Sequence, residues 1–222
     1  MREEDLFVTG IVLKRFPLRE NDSLVTILTK EKGKIPVFAY GARRQNSRLL
    51  GVLEPFCFGT FRLLPVKGGY RADSAQIRNY FEGFRKDMDA AFYGTFFLEL
   101  ADYYTRENNE ETALLNLLYV ALRALEKGTI ARRLVCCVYE IRALVTQGEF
   151  PGVIQTVCSD TAYTIDFIVN SPLNRLYTFT VSDAVLTELC SFCKELRRRF
   201  IDRPLKSLTL LEEGSFYPKG CI

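Results

Sequence analysis

The sequence predicts an α+β protein in which a small antiparallel β-barrel precedes a bundle of helices. Five short β-rich runs fill the first 80 residues, whereas apolar residues recur at helical spacing from about residue 84 onward. The charge divides at the same place, because residues 1–80 hold 14 Lys+Arg against 8 Asp+Glu and residues 81–222 hold 16 against 19. The predicted domains are therefore 1–80 and 81–222, and the first is the candidate for an anionic partner.

Five strands are predicted in the first domain. They cover residues 7–13, 24–29, 35–40, 56–64 and 70–77. Residues 14–22 contain Pro17 and an Asn-Asp pair and are predicted to form a turn, and Gly59 is predicted to form a bulge or a barrel corner. Five short strands in about 80 residues are typical of an OB-fold.

Four helices are predicted in the second domain. They cover residues 84–104, 110–127, 130–147 and 180–200. Gly128 and Gly148 follow two of them as C-caps, and Ser182 or Asp183 caps the last. Residues 149–178 are predicted to be an irregular insertion with a β-like run at 162–169. The last 20 residues show no periodicity, and the tail 214–222 is predicted to be frayed.

The chain contains no histidine, which narrows its chemistry. Ser-His-Asp and Cys-His catalysis are excluded, and so are histidine-based zinc sites. No phosphate-binding or dinucleotide-binding glycine motif occurs. No apolar stretch is long enough for a transmembrane helix, and acidic residues precede the first apolar run. These features predict a cytoplasmic protein that is not an enzyme and that has no metal or other cofactor.

The seven cysteines are irregularly spaced, which favours reduced thiols over a disulfide framework. Cys190 and Cys193 form a CxxC pair inside an amphipathic helix, but a zinc ribbon needs a second pair. A redox CxxC would follow a strand at the start of a helix. Buried structural thiols are therefore the favoured interpretation, and Cys136 and Cys137 are predicted to lie in the core.

The loop at residues 41–48, GARRQNSR, holds three arginines within six residues and has no carboxylate within nine residues of Gly41 on either side. Further cations flank the predicted strands, and aromatic residues are interleaved with them. Cations release counterions from phosphates, and rings stack on bases without reading sequence. The predicted DNA-binding residues are Lys14, Arg15, Lys34, Tyr40, Arg43, Arg44 and Arg48. The alternative is a solvated barrel surface with its aromatic residues in the core.

Arg132 and Arg133 begin the third predicted helix, and Arg142 follows nine residues after Arg133. Cations beside an apolar groove suit an acidic, hydrophobic peptide tail. These three arginines are the predicted tail-binding residues, and ordinary helix packing is the alternative.

Several short motifs occur in an order that points to a known family. They are TGIVL at 9–13, Glu20 with Asp22, Leu28-Thr29 with Gly33-Lys34, Ala39 with Gly41-Ala42-Arg43 and Ser47, and RPLKS at 203–207. In this order and spacing the chain resembles the bacterial recombination mediator family RecO. The first four motifs span about 40 residues, and the last lies near the other end of the chain.

The resemblance implies an N-terminal OB-fold, a helical domain and no catalytic turnover. It also implies binding to single- and double-stranded DNA, annealing of complementary strands, and association with the bacterial nucleoid. The implied protein partners are RecR, the acidic C-terminal tail of single-stranded DNA-binding protein and, indirectly, RecA.

The chain departs from the family pattern in the insertion at 149–178. Many members carry a zinc module of two CxxC pairs between the helices, whereas this segment contains only Cys158. We therefore expect a metal-free remnant of the module. Structural zinc contributes stability rather than chemistry, so its loss need not abolish binding.

Two other functions compete with a DNA-binding mediator. One is a protein-interaction adaptor whose barrel is structural and whose affinity for nucleic acid is incidental. The other is an enzyme, which would need a metal site or an activated nucleophile that the sequence does not reveal.

Overall fold

The computed structural model describes residues 5–214 and the side chains of residues 5–211. The predicted frayed tail therefore lies outside the described residues, apart from the backbone of Gly214. The chain divides into two compact units. The barrel unit comprises Met1–Glu82 and Ala101–Asn116, and the helical unit comprises Gly83–Leu100 and Leu117–Ile222. The barrel unit thus includes a segment that was predicted to belong to the helical domain.

The barrel is closed by five strands, as the sequence predicts for an OB-fold. They are β1 (Leu6–Pro17), β2 (Ser23–Thr29), β3 (Gly33–Ala39), β4 (Phe58–Val66) and β5 (Gly69–Asn79). The order around the barrel is β1-β2-β3-β5-β4. All pairs are antiparallel except β3 with β5, which pair in parallel at Val37–Tyr70 and Phe38–Arg71. Closure leaves no exposed sheet edge.

Alternation along the strands builds the barrel core. In β3 every second residue is buried, with Ile35 and Val37 inside and Lys34 and Phe38 facing out. Gly59 begins an irregularity in the β4–β5 register, and a Cβ placed there would lie 2.2 Å from the Gln76 carbonyl oxygen. The register irregularity predicted here is present, but its extra residue is Arg78 on β5, and Gly59 lies across from it on β4, where only glycine allows the close approach.

The predicted turn at 14–22 is wrong in its first half, because β1 continues to Pro17. Lys14 pairs with Thr26 and Pro17 pairs with Ser23. A register shift between Val12 and Lys14 resets the alternation, and this end of the strand presents polar and exposed residues. It therefore lacks the apolar pattern by which strands are recognised. The turn itself is short, and its Leu18 amide donates to the Asp22 carbonyl oxygen at 3.0 Å.

Six helices follow the strands in the described residues. They are α1 (Met88–Tyr104), α2 (Thr112–Lys127), α3 (Arg132–Thr146), α4 (Ser159–Asn170), α5 (Asp183–Phe200) and α6 (Lys206–Gly214), with short 3-10 turns at Glu82–Arg85 and Leu173–Arg175. The four predicted helices correspond to α1, α2, α3 and α5. Gly128 and Gly148 have φ of +63° and +72°, which confirms both C-caps. Ser182 caps α5 by accepting from the Val185 amide.

The insertion was predicted to be irregular, but it contains helix α4. Its buried residues are Thr161, Thr164, Ile165 and Ile168, which share one helical face. Threonines supply half of this stripe, so a count of apolar residues misses the period. The Thr164 hydroxyl donates to the Asp160 carbonyl oxygen at 2.7 Å, and it is thereby satisfied inside the helix.

Helix α6 was also missed, because its start is fixed by a distant residue. The amides of Lys206 and Ser207 donate to the two oxygens of Glu99 at 3.1 and 2.8 Å. A carboxylate satisfies unpaired amides at a helix start and interacts favourably with the helix dipole. The 203–207 motif thus contains the first two residues of α6.

No helix in the described part of the chain is both long and apolar enough to cross a membrane.

Candidate nucleic-acid interface

The outer face of the barrel carries a strip of aromatic and basic side chains. Neighbouring strands align Phe16 with Leu24, Leu24 with Phe38, and Phe38 with Arg71. Tyr40 follows β3, and its ring stacks on that of Phe38 with 6.2 Å between centroids and 9° between planes. We define the outer strip as Lys14, Phe16, Phe38, Tyr40 and Arg71. Phe16 is 52% exposed and Tyr40 50% exposed, so both rings are open to a stacking partner.

The basic loop, residues 41–48, is held at its first residue by the turn between β1 and β2. The Gly41 amide donates to Asp22 Oδ1 at 2.8 Å, and the Arg43 amide donates to the Asn21 carbonyl oxygen at 3.0 Å. Gly41 has φ of +65°, a conformation that suits glycine. Two motif residues that stand 19 positions apart, Asp22 and Gly41, are therefore direct partners.

Three apolar residues, one within the loop and two after it, anchor the loop to the barrel core. Ala42, Leu49 and Leu53 are buried in the barrel core, at 0%, 6% and 0% exposure. The Ser47 amide donates to the Arg44 carbonyl oxygen, and the Ser47 hydroxyl accepts from the Leu49 amide at 3.2 Å. The loop is thus a fixed platform, and a fixed platform loses less conformational entropy when a ligand binds.

The three loop arginines are exposed. Arg43, Arg44 and Arg48 form no ion pair with a carboxylate among the described residues. Arg43 Nη1 lies 3.3 Å from the Arg19 carbonyl oxygen, which restricts its side chain without neutralising it. Uncompensated guanidinium groups on a fixed loop suit phosphate, which they can bind with two hydrogen bonds.

Lys14 and Lys34, also predicted to bind DNA, share one carboxylate. The Lys14 ammonium lies 2.9 Å from Asp102 Oδ2, and the Lys34 ammonium lies 3.2 Å from Asp102 Oδ1. Lys34 also donates to the Asp102 carbonyl oxygen at 2.6 Å. Burial alone would raise the pKa of Asp102, but the two ammonium groups outweigh burial and lower the pKa. Lys14, Lys34 and Asp102 together therefore carry a net charge of about +1.

Replacing Asp102 by asparagine is expected to strengthen DNA binding and weaken the fold. The two lysines lose their shared counterion, so affinity for single strands rises severalfold at low salt, while the free energy of unfolding falls by about 1–3 kcal/mol. In the unaltered protein this contribution is full above the ordinary carboxyl pKa and is lost as the pH falls through the lowered pKa. Urea unfolding and a DNA titration measure the two effects.

Glu107→Gln is the matched control, because Glu107 is exposed and belongs to the same unit. It removes the same charge without touching either lysine. Equal gains in affinity from both variants would show that Lys14 and Lys34 do not contact DNA.

Arg15, a further predicted DNA contact, is largely engaged within the barrel. Its Nε donates to the Ser23 hydroxyl at 3.0 Å, and its guanidinium forms an ion pair with Glu54. The Arg15 side chain is only 13% exposed. The geometry thus favours a role in fixing the segment that contains Glu54.

The sequence interpretation missed Arg71, which is exposed on the outer strip. Arg71 neighbours Phe38 only because β3 and β5 pair in parallel to close the barrel. This non-local pairing leaves no local pattern. The sequence offers only a weak signal for Arg71, namely a cation that precedes the buried Ala72 in a predicted strand and would therefore face outward.

The three predicted tail-binding arginines are engaged within the helical unit. Arg132 forms ion pairs with Asp87 and with Asp89, the latter at 2.6 Å. Arg142 donates to the carbonyl oxygens of Ile168 and Val169 at the end of α4, where a cation suits the helix dipole. Arg133 Nη2 lies 3.4 Å from Cys190 Sγ. Tail binding stays a prediction, and a tail would compete with these contacts.

The CxxC cysteines, Cys190 and Cys193, are buried next to Cys136 and Cys137 of α3. This burial agrees with the interpretation as structural thiols. Cys190 Sγ lies 3.7 Å from Cys137 Sγ, and Cys193 Sγ lies 3.8 Å from the Cys137 carbonyl oxygen. The contact with Cys137 lowers the pKa of Cys193, but burial together with the nearby Glu140 and Cys136 outweighs it, and the pKa rises to about 11. Such thiols are protonated at neutral pH and are poor nucleophiles. Among the described residues, no group of three or more Cys, Asp or Glu is placed to hold a metal ion.

Comparisons with known proteins agree with this architecture. A family model described as "Recombination protein O N terminal" matches residues 1–81, and one described as "Recombination protein O C terminal" matches residues 85–160. The two matched segments are the barrel strands and the helices as far as the start of α4.

Similar proteins in several bacteria carry one name, "DNA repair protein RecO". The Acetivibrio thermocellus protein is 26% identical over 93% of this chain and 96% of its own length. The Caldicellulosiruptor saccharolyticus protein is 30% identical over 84% of this chain and 71% of its own length. The Bacillus subtilis protein is 31% identical over 64% of this chain and 55% of its own length.

The closed barrel, the helices that follow it and the two matching family models therefore identify the class as recombination proteins. The chain belongs to the RecO family, and the resemblance drawn from its sequence motifs is confirmed.

Proposed function

We propose that this protein is a DNA-binding mediator of recombinational repair without catalytic turnover. A role in DNA repair follows from its family and from the name that its relatives share. The observation that carries the proposal is the fixed basic loop, which holds three arginines without an acidic partner among the described residues and directly follows the exposed Tyr40. In this proposal single- and double-stranded DNA bind along the loop and the outer strip.

The proposed mechanism is electrostatic capture followed by stacking. Guanidinium groups neutralise phosphates and release counterions, while Phe16 and Tyr40 accept unpaired bases on their faces. Phosphates make contact with the loop whether or not the bases are paired, so duplex DNA binds through the same arginines. Two complementary strands repel each other less on a neutralising surface, which favours annealing.

The proposed partners are RecR, the acidic tail of single-stranded DNA-binding protein and, indirectly, RecA. Arg132, Arg133 and Arg142 remain the candidate tail contacts. In this role the protein would bring recombinase to strands that are already coated. Its proposed location is the bacterial cytoplasm, in association with the nucleoid.

The test is a fluorescence titration with labelled single strands at two salt concentrations, together with an annealing assay. We expect dissociation constants well below about 10⁻⁴ M and a steep loss of affinity with salt. The protein should also accelerate the pairing of complementary strands.

A protein-interaction adaptor is the rival function, and the engagement of Lys14, Lys34 and Arg15 with carboxylates favours it. Affinity weaker than about 10⁻⁴ M at both salt concentrations, without annealing, would support the adaptor and exclude the mediator.

A further inference from the structure

An open cavity lies between the basic loop and β5. Its volume is about 240 Å³, and it is lined by Tyr40, Ser47, Arg48, Leu49, Arg71, Ala72 and Asp73. Leu49 and Ala72 are buried residues that give it an apolar floor, whereas Tyr40, Arg48 and Arg71 are exposed. A planar group stacked on the ring would bring an attached phosphate within the field of two arginines.

Asp73 is the acidic residue of this cavity. Its Oδ2 is held by Arg62 Nη1 at 3.2 Å and by the Ser74 hydroxyl at 3.3 Å. Its Oδ1 has no hydrogen-bond partner among the described residues. The carboxylate is therefore fixed in place, and one oxygen remains able to accept.

A carboxylate disfavours phosphate at its own position. It favours a ligand that donates a hydrogen bond there while placing its negative charge on the neighbouring arginines. Unpaired nucleobases with an exocyclic amino group have this character, and carboxylates accept from cytosine N4 in protein–DNA interfaces. Thymine presents the O4 carbonyl oxygen and a methyl group at the corresponding edge. Its one donor, N3–H, lies between two carbonyl oxygens that the carboxylate repels, so thymine binds less favourably.

We propose that the cavity binds one unpaired nucleobase bearing an exocyclic amino group. The base stacks on Tyr40, its amino group donates to Asp73, and its flanking phosphates are neutralised by Arg48 and Arg71. This inference rests on the proposed DNA-binding function and adds a base preference to it. A base within a duplex cannot enter the cavity without leaving its stack, so the cavity also favours single strands.

The experiment compares oligo(dC) with oligo(dT) of about 16 nucleotides, the upper site size of one OB-fold. The titrations are made at mildly alkaline pH, where cytosine is unprotonated. We expect the unaltered protein to bind oligo(dC) about threefold to tenfold more tightly. Asp73→Asn should reduce this ratio to near one, mainly by improving oligo(dT) binding, because an amide pairs with either base edge.

Asp5→Asn is the matched control. Asp5 also accepts from Arg62, at 3.0 Å from Nε, but it does not line the cavity. This variant removes the same charge and a partner of the same arginine. It should keep the preference for oligo(dC), and circular dichroism checks that both variants are folded.

A second measurement changes the ligand and leaves the protein intact. Oligonucleotides of N4,N4-dimethylcytosine keep the ring but lack the amino hydrogens, and they should bind no better than oligo(dT).

Four results would overturn the inference and leave the proposed function intact. They are an unchanged binding ratio in Asp73→Asn, a loss of the preference for oligo(dC) in Asp5→Asn equal to that in Asp73→Asn, full affinity for the dimethylated strand, and equal binding of oligo(dC) and oligo(dT) by the unaltered protein. Binding of neither strand below about 10⁻⁴ M would reject both.

Discussion

Replacing Arg43, Arg44 and Arg48 together by alanine is expected to weaken single-strand binding roughly a hundredfold at low salt. Each phosphate neutralised on a single strand contributes about 0.7 to the slope of log affinity against log salt, so three lost contacts lower the slope by about 2. Titrations at several salt concentrations measure both quantities. The fold should be unaffected, because the three side chains are exposed and Ala42 and Leu49 anchor the loop.

The matched control is the triple variant Arg175→Ala, Lys194→Ala and Arg199→Ala. These three cations are exposed in the helical unit, and their loss changes the net charge by the same amount. We expect a small, screened decrease in affinity and an almost unchanged salt slope. If the two triple variants behave alike, the net charge of the protein controls binding and the loop is not the contact surface.

The fold could be predicted largely because the barrel strands and four helices carry local patterns. Alternation marks β3, and an apolar stripe followed by glycine marks α2 and α3. The missed elements depend on information outside their own segments. Helix α4 buries threonines, and α6 begins where Glu99 satisfies its amides. Neither feature is visible to a rule that counts apolar residues.

The candidate site was also predicted only in part, because some of its residues are brought together by contacts between distant segments. The sequence indicates the charge of the basic loop, and Arg43, Arg44 and Arg48 are exposed as a binding surface requires. The identity of their neighbours depends on closure of the barrel, which brings Arg71 and Asp73 beside Tyr40. Carboxylates distant in sequence also decide which cations stay available, since Asp102 holds Lys14 and Lys34 from 88 and 68 residues away.

The largest stability effect is expected in the helical unit, at the buried ion pair of Arg197 and Glu140. Arg197 Nη1 lies 2.8 and 2.7 Å from the two carboxylate oxygens, and the side chains are 10% and 5% exposed. Burial alone would lower the pKa of Arg197, but Glu140 together with Cys136 and Cys193 outweighs burial, so the pKa is raised. Burial together with Glu140 raises the pKa of Cys136, whose thiol also donates to this carboxylate. Cys136 is thus packed against the buried ion pair of Arg197 and Glu140.

Arg197→Met is expected to lower the free energy of unfolding by about 3–5 kcal/mol, because it leaves the Glu140 carboxylate buried without its counterion. Urea unfolding at neutral pH measures the loss.

The double variant Arg197→Met with Glu140→Gln provides the control, since it removes both charges and leaves only neutral groups. We expect it to recover more than half of the lost stability, as buried ion pairs are often replaced by neutral groups at little cost. A double variant as unstable as Arg197→Met would show that the arginine stabilises α3 and α5 by packing rather than by its charge.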